Sequence, residues 1–140
     1  MIPKFRVAFK NKIFGEVGSI DFIDKTVTIP VYDKLDGEYL GDDVYVLDQS
    51  VLMQSTGLFD DSTPKKEIFE GDIVETIYSG ELFTGVIVYD QEETGFKATN
   101  GRNEYGNNFC YLGGNDSIIV IGNIYQNPEL LKEVGNDTEV

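Results

Sequence analysis

The chain has 140 residues, 41% of them hydrophobic, with 11 basic against 25 acidic side chains, one cysteine, no histidine and no tryptophan. That is apolar material for one folded domain, or a main domain with a small appendage, and too much for a disordered chain. A net charge of −14 argues against direct nucleic-acid binding, which draws on clustered Lys and Arg, and the lone Cys110 excludes an intramolecular disulfide.

The acidity is uneven. Residues 1–12 carry Lys4, Arg6, Lys10 and Lys12 and no acid, a sum of +4, so the remainder sets 7 basic against 25 acidic groups and nets −18. The bland reading of this surplus is solubility; the sharper one is an acidic surface that competes for a basic partner. Apolar runs such as residues 118–121 are far short of a membrane span. The single cysteine and the lack of a secretory leader point to a reducing cytoplasm.

The dominant hydrophobic period is two, the mark of half-buried strands. Residues 4–9 and 13–17 read as a pair joined through Asn11. Residues 19–23 read as a strand with Ile20 and Phe22 together, turning at Asp24-Lys25 into Thr26–Tyr32, where Val27, Ile29 and Val31 share a face. Pro30 lacks a backbone N–H, which predicts a sheet edge or a bulge there. A loop over 34–43 leads to strands at 44–47 and 51–55, and a second loop covers 60–66. Clear alternation follows at 73–78, 82–89, 96–99, 108–112 and 118–125, separated by Gly-containing breaks. At the C-terminus Asn127 can cap a helix with Pro128 in its first turn and Gly135 past its end. This spacing predicts a mainly β chain: a small SH3-like or coiled β-barrel with extra N-terminal strands and a short C-terminal helix. The expected organisation is one domain, with an N-terminal hairpin region over 1–60, a barrel-like core over 61–127, the helix over 128–135 and a disordered tail over 136–140.

Glu70-Gly71-Asp72 opens a strand as a turn device, since Gly71 can take positive φ and Asp72 can accept nearby backbone N–H groups. Gly85-Val86-Ile87-Val88-Tyr89 is the strand that would follow in a small barrel. Thr56-Gly57-Leu58 reads as a bend with Leu58 plugging the core. Gly122-Asn123 reads as a bulge or turn in the last strand, with Tyr125 under the terminal helix. Glu67, Glu70 and Asp72 put three carboxylates in six residues. A cation site or an acid/base pair is one reading, though such sites draw several oxygens from a tight loop; capping and solvated charge is the other. Cys110 lies in an aromatic strand with no histidine to activate it.

Two stretches, LMQSTGLFDDSTPKKEIFEGDIV over 52–74 and IIVIGNIYQNPELL over 118–131, combine into TGL–turn–EIxEGDIV … IGNIYxNPELL. That form resembles the YopX-like family, small proteins encoded mainly in prophages and bacteriophages of Gram-positive bacteria. The opening Lys4-Phe5-Arg6 and the stretch SIDFIDKTV extend the resemblance to nearly the whole chain. Two features depart from it: Val7-Ala8-Phe9 stands where the family commonly has a Trp, and the turn after TGL is longer and carries Pro64 in place of Gly. The resemblance implies a β-rich cytoplasmic accessory protein of unknown function and supplies no chemistry. Its structural signature is Thr56, Gly57, Leu58, Glu70, Gly71, Asp72, Gly122, Asn123 and Pro128.

The functional expectation is a non-enzymatic module that binds a host or phage protein through an acidic, tyrosine-bearing surface. Tyr32, Tyr39, Tyr45, Tyr78 and Tyr105 are the candidate contact residues, since tyrosine supplies contact area at low entropic cost. No catalytic residue, cofactor or metal ligand is assigned. The alternatives are a carboxylate-based enzyme, with or without a divalent cation, and a homo-oligomeric structural component.

Overall fold

The computed structural model describes residues 3–78, 80–100, 109–112 and 117–131, and the side chains of all of these but 78 and 109. The chain is mainly β, with a curled half-barrel sheet and one short C-terminal helix. It divides into two compact units, Met1–Gln54 and Ser55–Val140.

In the first unit β1 (Phe5–Phe9) and β2 (Lys12–Glu16) form an antiparallel hairpin. Its two connecting residues, Lys10 and Asn11, both have positive φ, 50° and 63°. That is the backbone twist a two-residue hairpin turn requires, and Asn is among the residues that tolerate it best. The other edge of β1 pairs with the start of β6 (Val51–Phe59), Ala8 opposite Val51 and Phe5 opposite Gln54.

A three-stranded sheet runs in the order β3 (Ser19–Asp21), β4 (Thr26–Tyr32), β5 (Tyr39–Val46). The strand expected over 19–23 stops at Asp21. Its carboxylate accepts the N–H groups of Ile23 and Asp24, both at 3.0 Å, a side-chain turn that competes with the ladder. Phe22 and Ile23 therefore face solvent, 73% and 93% exposed. The next strand begins earlier than the sequence suggests, at Tyr39. Asp33 closes the loop before it by accepting from Leu35 and Asp36, and its own N–H donates to the Glu38 carbonyl at 2.7 Å.

Pro30 lies in the middle strand of this sheet, not at an edge. The middle position costs no hydrogen bond there, because β3 reaches only as far as Ser19 opposite Thr28. Beyond that point β4 has β5 on one side alone, and its register shifts between Val31 and Tyr32. Val27 and Ile29 are buried, as are Val7, Ala8 and Met53. A single 3-10 turn, Leu47–Gln49, leads into β6.

In the second unit the end of β6 pairs with β7 (Glu67–Phe69), Ser55 opposite Phe69 and Phe59 opposite Glu67. A five-stranded antiparallel sheet follows, in the order β11 (Phe109–Tyr111), β10 (Gly95–Thr99), β9 (Glu81–Asp90), β8 (Asp72–Tyr78), β12 (Ile118–Asn123). Along β9, Phe83 and Ile87 are buried while Thr84, Val86 and Val88 are half-buried, the period of two that the sequence displays. Ile68, Val74, Phe83, Ile87, Ala98, Cys110 and Ile118 form the core, with Phe96, Leu112 and Val120 packed against it. Burying each larger side chain contributes roughly 1.5–3 kcal/mol.

Gly85 sits where β9 passes close to β10. A Cβ there would lie 2.7 Å from Phe83 Cε1 and 2.9 Å from the Thr99 carbonyl oxygen, so only glycine fits. The terminal helical segment begins at residue 129. Asn127 does not turn its side chain toward it: Asn127 Oδ1 accepts the Asn123 N–H at 3.2 Å, and the Leu130 N–H goes to the Asn127 backbone carbonyl. Residues 132–140, which include the rest of the expected helix and the tail, lie outside the described residues.

Candidate functional site

The signature residues cluster at the start of β8 and the end of β12. Gly71 has φ +89°, and buried Asp72 accepts the Phe69 N–H at 2.8 Å through Oδ2. This closes the Glu70-Gly71 turn and sets the first residue of β8. Asp72 is opposite Asn123 in the sheet, and Ile73 opposite Gly122, with a register shift between Val120 and Gly122. The Gly71 carbonyl accepts the Ile124 N–H at 3.0 Å while its N–H donates to the Ile87 carbonyl at 2.9 Å. Gly71 thereby ties three strands at one point.

Asn123 organises the turn that follows. Its Oδ1 accepts the N–H groups of Tyr125 and Gln126 at 3.0 and 2.9 Å, its Nδ2 donates to Gln126 Oε1, and its carbonyl accepts the Asn127 N–H. Gly122 leaves room for Asn127, whose Oδ1 would stand 2.6 Å from a Cβ at that position. The Pro128 carbonyl accepts the Leu131 N–H. Tyr125 is half-buried, and burial pushes its phenol up, with the nearby Glu70 charge adding to the shift.

Thr56-Gly57-Leu58 is part of β6 rather than an exit from it. Gly57 takes φ +80°, and residues 56–58 bulge against the single residue Ile68. Thr56 Oγ1 donates to the Ile68 carbonyl at 2.8 Å and accepts the Leu58 N–H at 3.1 Å. The bulge turns Leu58 outward, 46% exposed, so it does not plug the core as its sequence suggests. Ser55 and Thr56 hold the strand there instead: Ser55 Oγ accepts the Gly57 N–H and donates to Glu67.

The sequence reading missed two carboxylates. Asp60, wholly buried, accepts from the Ser62 hydroxyl at 2.6 Å and from the N–H groups of Lys66 at 2.7 Å, Val120 at 3.0 Å and Ser62 at 3.2 Å. Burial pushes its carboxyl up, but these four donors outweigh it and hold the group at about 2. Asp61 accepts the Ile118 N–H at 2.9 Å and returns its own N–H to the Ile118 carbonyl. Together they seal the outer edge of β12, which would otherwise present unpaired backbone groups. An Asp-Asp pair directly after the apolar run at Leu58-Phe59 was the available signal, since Asp favours such turns.

Chemically, Asp60, Asp61 and Asp72 are occupied in holding backbone N–H groups, and Glu67 in accepting from Ser55. Among the described residues no group of three or more Cys, Asp and Glu side chains is arranged to hold a metal ion. Cys110 is buried, and burial pushes its thiol up to about 11.

The candidate contact tyrosines separate into different settings. Tyr32 and Tyr39 face each other across β4 and β5, ring centroids 5.8 Å apart, and are 56% and 54% exposed. The Tyr39 hydroxyl is held by Asp42, which pushes the phenol up. Leu40, Val44 and Val46 on the same strand are exposed. Tyr45 is half-buried and packs on Phe9 and Phe14, centroids 5.4 and 5.0 Å away. The side chain of Tyr78 and the whole of Tyr105 lie outside what is described.

No helix among the described residues is long and apolar enough to cross a membrane. The crystal structure of protein EF1440 from Enterococcus faecalis is similar, with a TM-score of 0.60 and 26% identity over 94% of this chain and 99% of that one. No curated protein matches the chain. The model of the YopX protein family matches residues 4–132, which takes in the Gly71–Asp72 turn, the Gly122–Asn123 bulge and the terminal Asn-Pro, and the chain belongs to the YopX family.

Proposed function

We propose that this protein is a non-enzymatic phage or prophage accessory protein that acts by docking another protein on the exposed surface of β4 and β5. The observation that carries the reading is the Tyr32–Tyr39 pair, two rings in contact that both remain more than half exposed. Tyrosines in such settings supply contact area with few rotatable bonds, and interfaces are enriched in them. Leu40, Val44 and Val46 extend the apolar area along the strand. The net charge of −14 favours partners with basic surfaces and steers their approach.

The test compares affinity capture from host lysate by the wild-type chain and by a Tyr32→Ala/Tyr39→Ala variant with unchanged circular dichroism. A partner retained by wild type and lost by the variant supports the reading. A partner held equally by both places the contact elsewhere and refutes it. A salt gradient during elution then separates an apolar interface from one carried by exposed charge, which screening weakens.

A further inference from the structure

At eight residues, β5 is the longest strand standing at the edge of a sheet among the described residues. It pairs with β4 along one side, from Thr26 opposite Val46 to Tyr32 opposite Tyr39. The outer edge of β12 is sealed by Asp60 and Asp61. On the outer edge of β5 the Val46 carbonyl, at the strand's end, accepts from Ser50 Oγ at 2.8 Å; nothing comparable holds the outward groups of Asp42 and Val44 among the described residues. A row of such groups is a template for one more strand.

The side chains along this edge define what can lie there. Asp42 and Asp43 occupy its centre and point to opposite faces, both exposed. Asp42, Val44 and Val46 share the face of Pro30, Thr28 and Thr26, their partners in β4. Val44 and Val46 are 60% and 47% exposed.

A second copy is the wrong occupant. Pairing β5 with itself in antiparallel register about Asp42 sets Asp42 against Asp42 of the other copy at the centre of the ladder, and a register about Asp43 sets Asp43 against Asp43. Like charges directly opposite are destabilising, and two chains of net charge −14 repel at longer range as well.

We infer that the open edge of β5 accepts an extended segment of a partner protein, with adjacent Lys or Arg residues opposite Asp42–Asp43 and apolar side chains beside Val44 and Val46. Main-chain hydrogen bonds would supply the affinity, and the two carboxylates and two valines would select the segment. The inference rests on the protein-binding reading above and specifies its chemistry.

The test uses hydrogen exchange on the full chain with a capped synthetic peptide, Val-Thr-Val-Lys-Lys-Thr-Val, in large excess. Slowed exchange confined to residues 39–46 is expected. It should be lost when alternate peptide nitrogens are methylated and when the two lysines are replaced by glutamate. An Asp42→Asn/Asp43→Asn variant should bind about threefold to tenfold more weakly, the range set by two exposed charge pairs. Unchanged exchange at 39–46, or equal slowing by the methylated or Glu-bearing peptide, overturns strand addition. So does a concentration-dependent dimer of the free chain that slows the same amides. If the captured partner still depends on Tyr32 and Tyr39 while the peptide does nothing, strand addition fails and the docking surface stands.

Discussion

Asp60 Oδ2 accepts the backbone N–H of Val120 at 3.0 Å, joining residues 60 positions apart in the chain. The same carboxylate holds Ser62 and Lys66 through Oδ1, so one buried side chain both shapes a loop and closes the edge of β12. An acidic residue at that place is a structural anchor.

Replacing it should be costly. Asp60→Ala leaves the N–H groups of Lys66, Ser62 and Val120 without their acceptor in a buried site, each worth on the order of 1 kcal/mol or more. A loss of about 3 kcal/mol in urea unfolding, with little change in slope, is expected. Asp60→Asn retains one acceptor oxygen and should lose less. Faster exchange of the Val120 amide should accompany both.

The same group sets a pH dependence. The folded carboxyl is held at about 2, below the roughly 3.9 of an unfolded Asp. The unfolded chain therefore takes up this proton first as pH falls. The stabilisation, about 2–3 kcal/mol by linkage, is complete above the unfolded value and is lost as pH falls through the folded one. Acid unfolding of wild type and Asp60→Asn should show a stability gap that is constant near neutrality and narrows between about pH 4 and 2.

Two glycine substitutions should rank in a definite order. Gly85→Ala drives a methyl toward the Thr99 backbone carbonyl, which cannot move without shifting β10; about 1–3 kcal/mol of overpacking is expected. Gly122→Ala meets the Asn127 side chain, which can rotate away at the loss of its hydrogen bond from the Asn123 N–H. That should cost about 1 kcal/mol. Thermal melts of the two variants check the order, and the reverse ranking would contradict the assigned contacts.

Cys110 should be inert to a thiol reagent in the folded protein near neutral pH. The thiol is buried and held at about 11, and only the thiolate attacks. Labelling should track global unfolding in denaturant, and rapid labelling of the native chain would show the core around β11 to be open.

Much of the β architecture was legible because its signals are local. Alternation placed β4 and β8 through β12 within a residue or two, and the Gly71-Asp72 turn and the Gly122 bulge follow from what glycine and aspartate do to their immediate neighbours. The mistakes arose where distant partners decide. Leu58 looks like a core residue by composition, yet the bulge against Ile68 turns it outward. For Pro30 the sequence leaves a sheet edge or a bulge open; the strand is a middle one, but β3 ends before Pro30 and the register shifts just after it. The candidate tyrosines look alike in sequence, but packing on Phe9 and Phe14 removes Tyr45 from the exposed group.

By itself the sequence determined a mainly β chain, the Gly71-Asp72 turn and the Gly122 bulge, and membership in its family. Periodicity and turn chemistry act over a few residues and can be read without knowing the rest. Only the tertiary structure decided which edges are sealed, which carboxylates are buried and which rings face solvent. Those outcomes depend on backbone groups contributed from tens of residues away, and no local pattern carries that information.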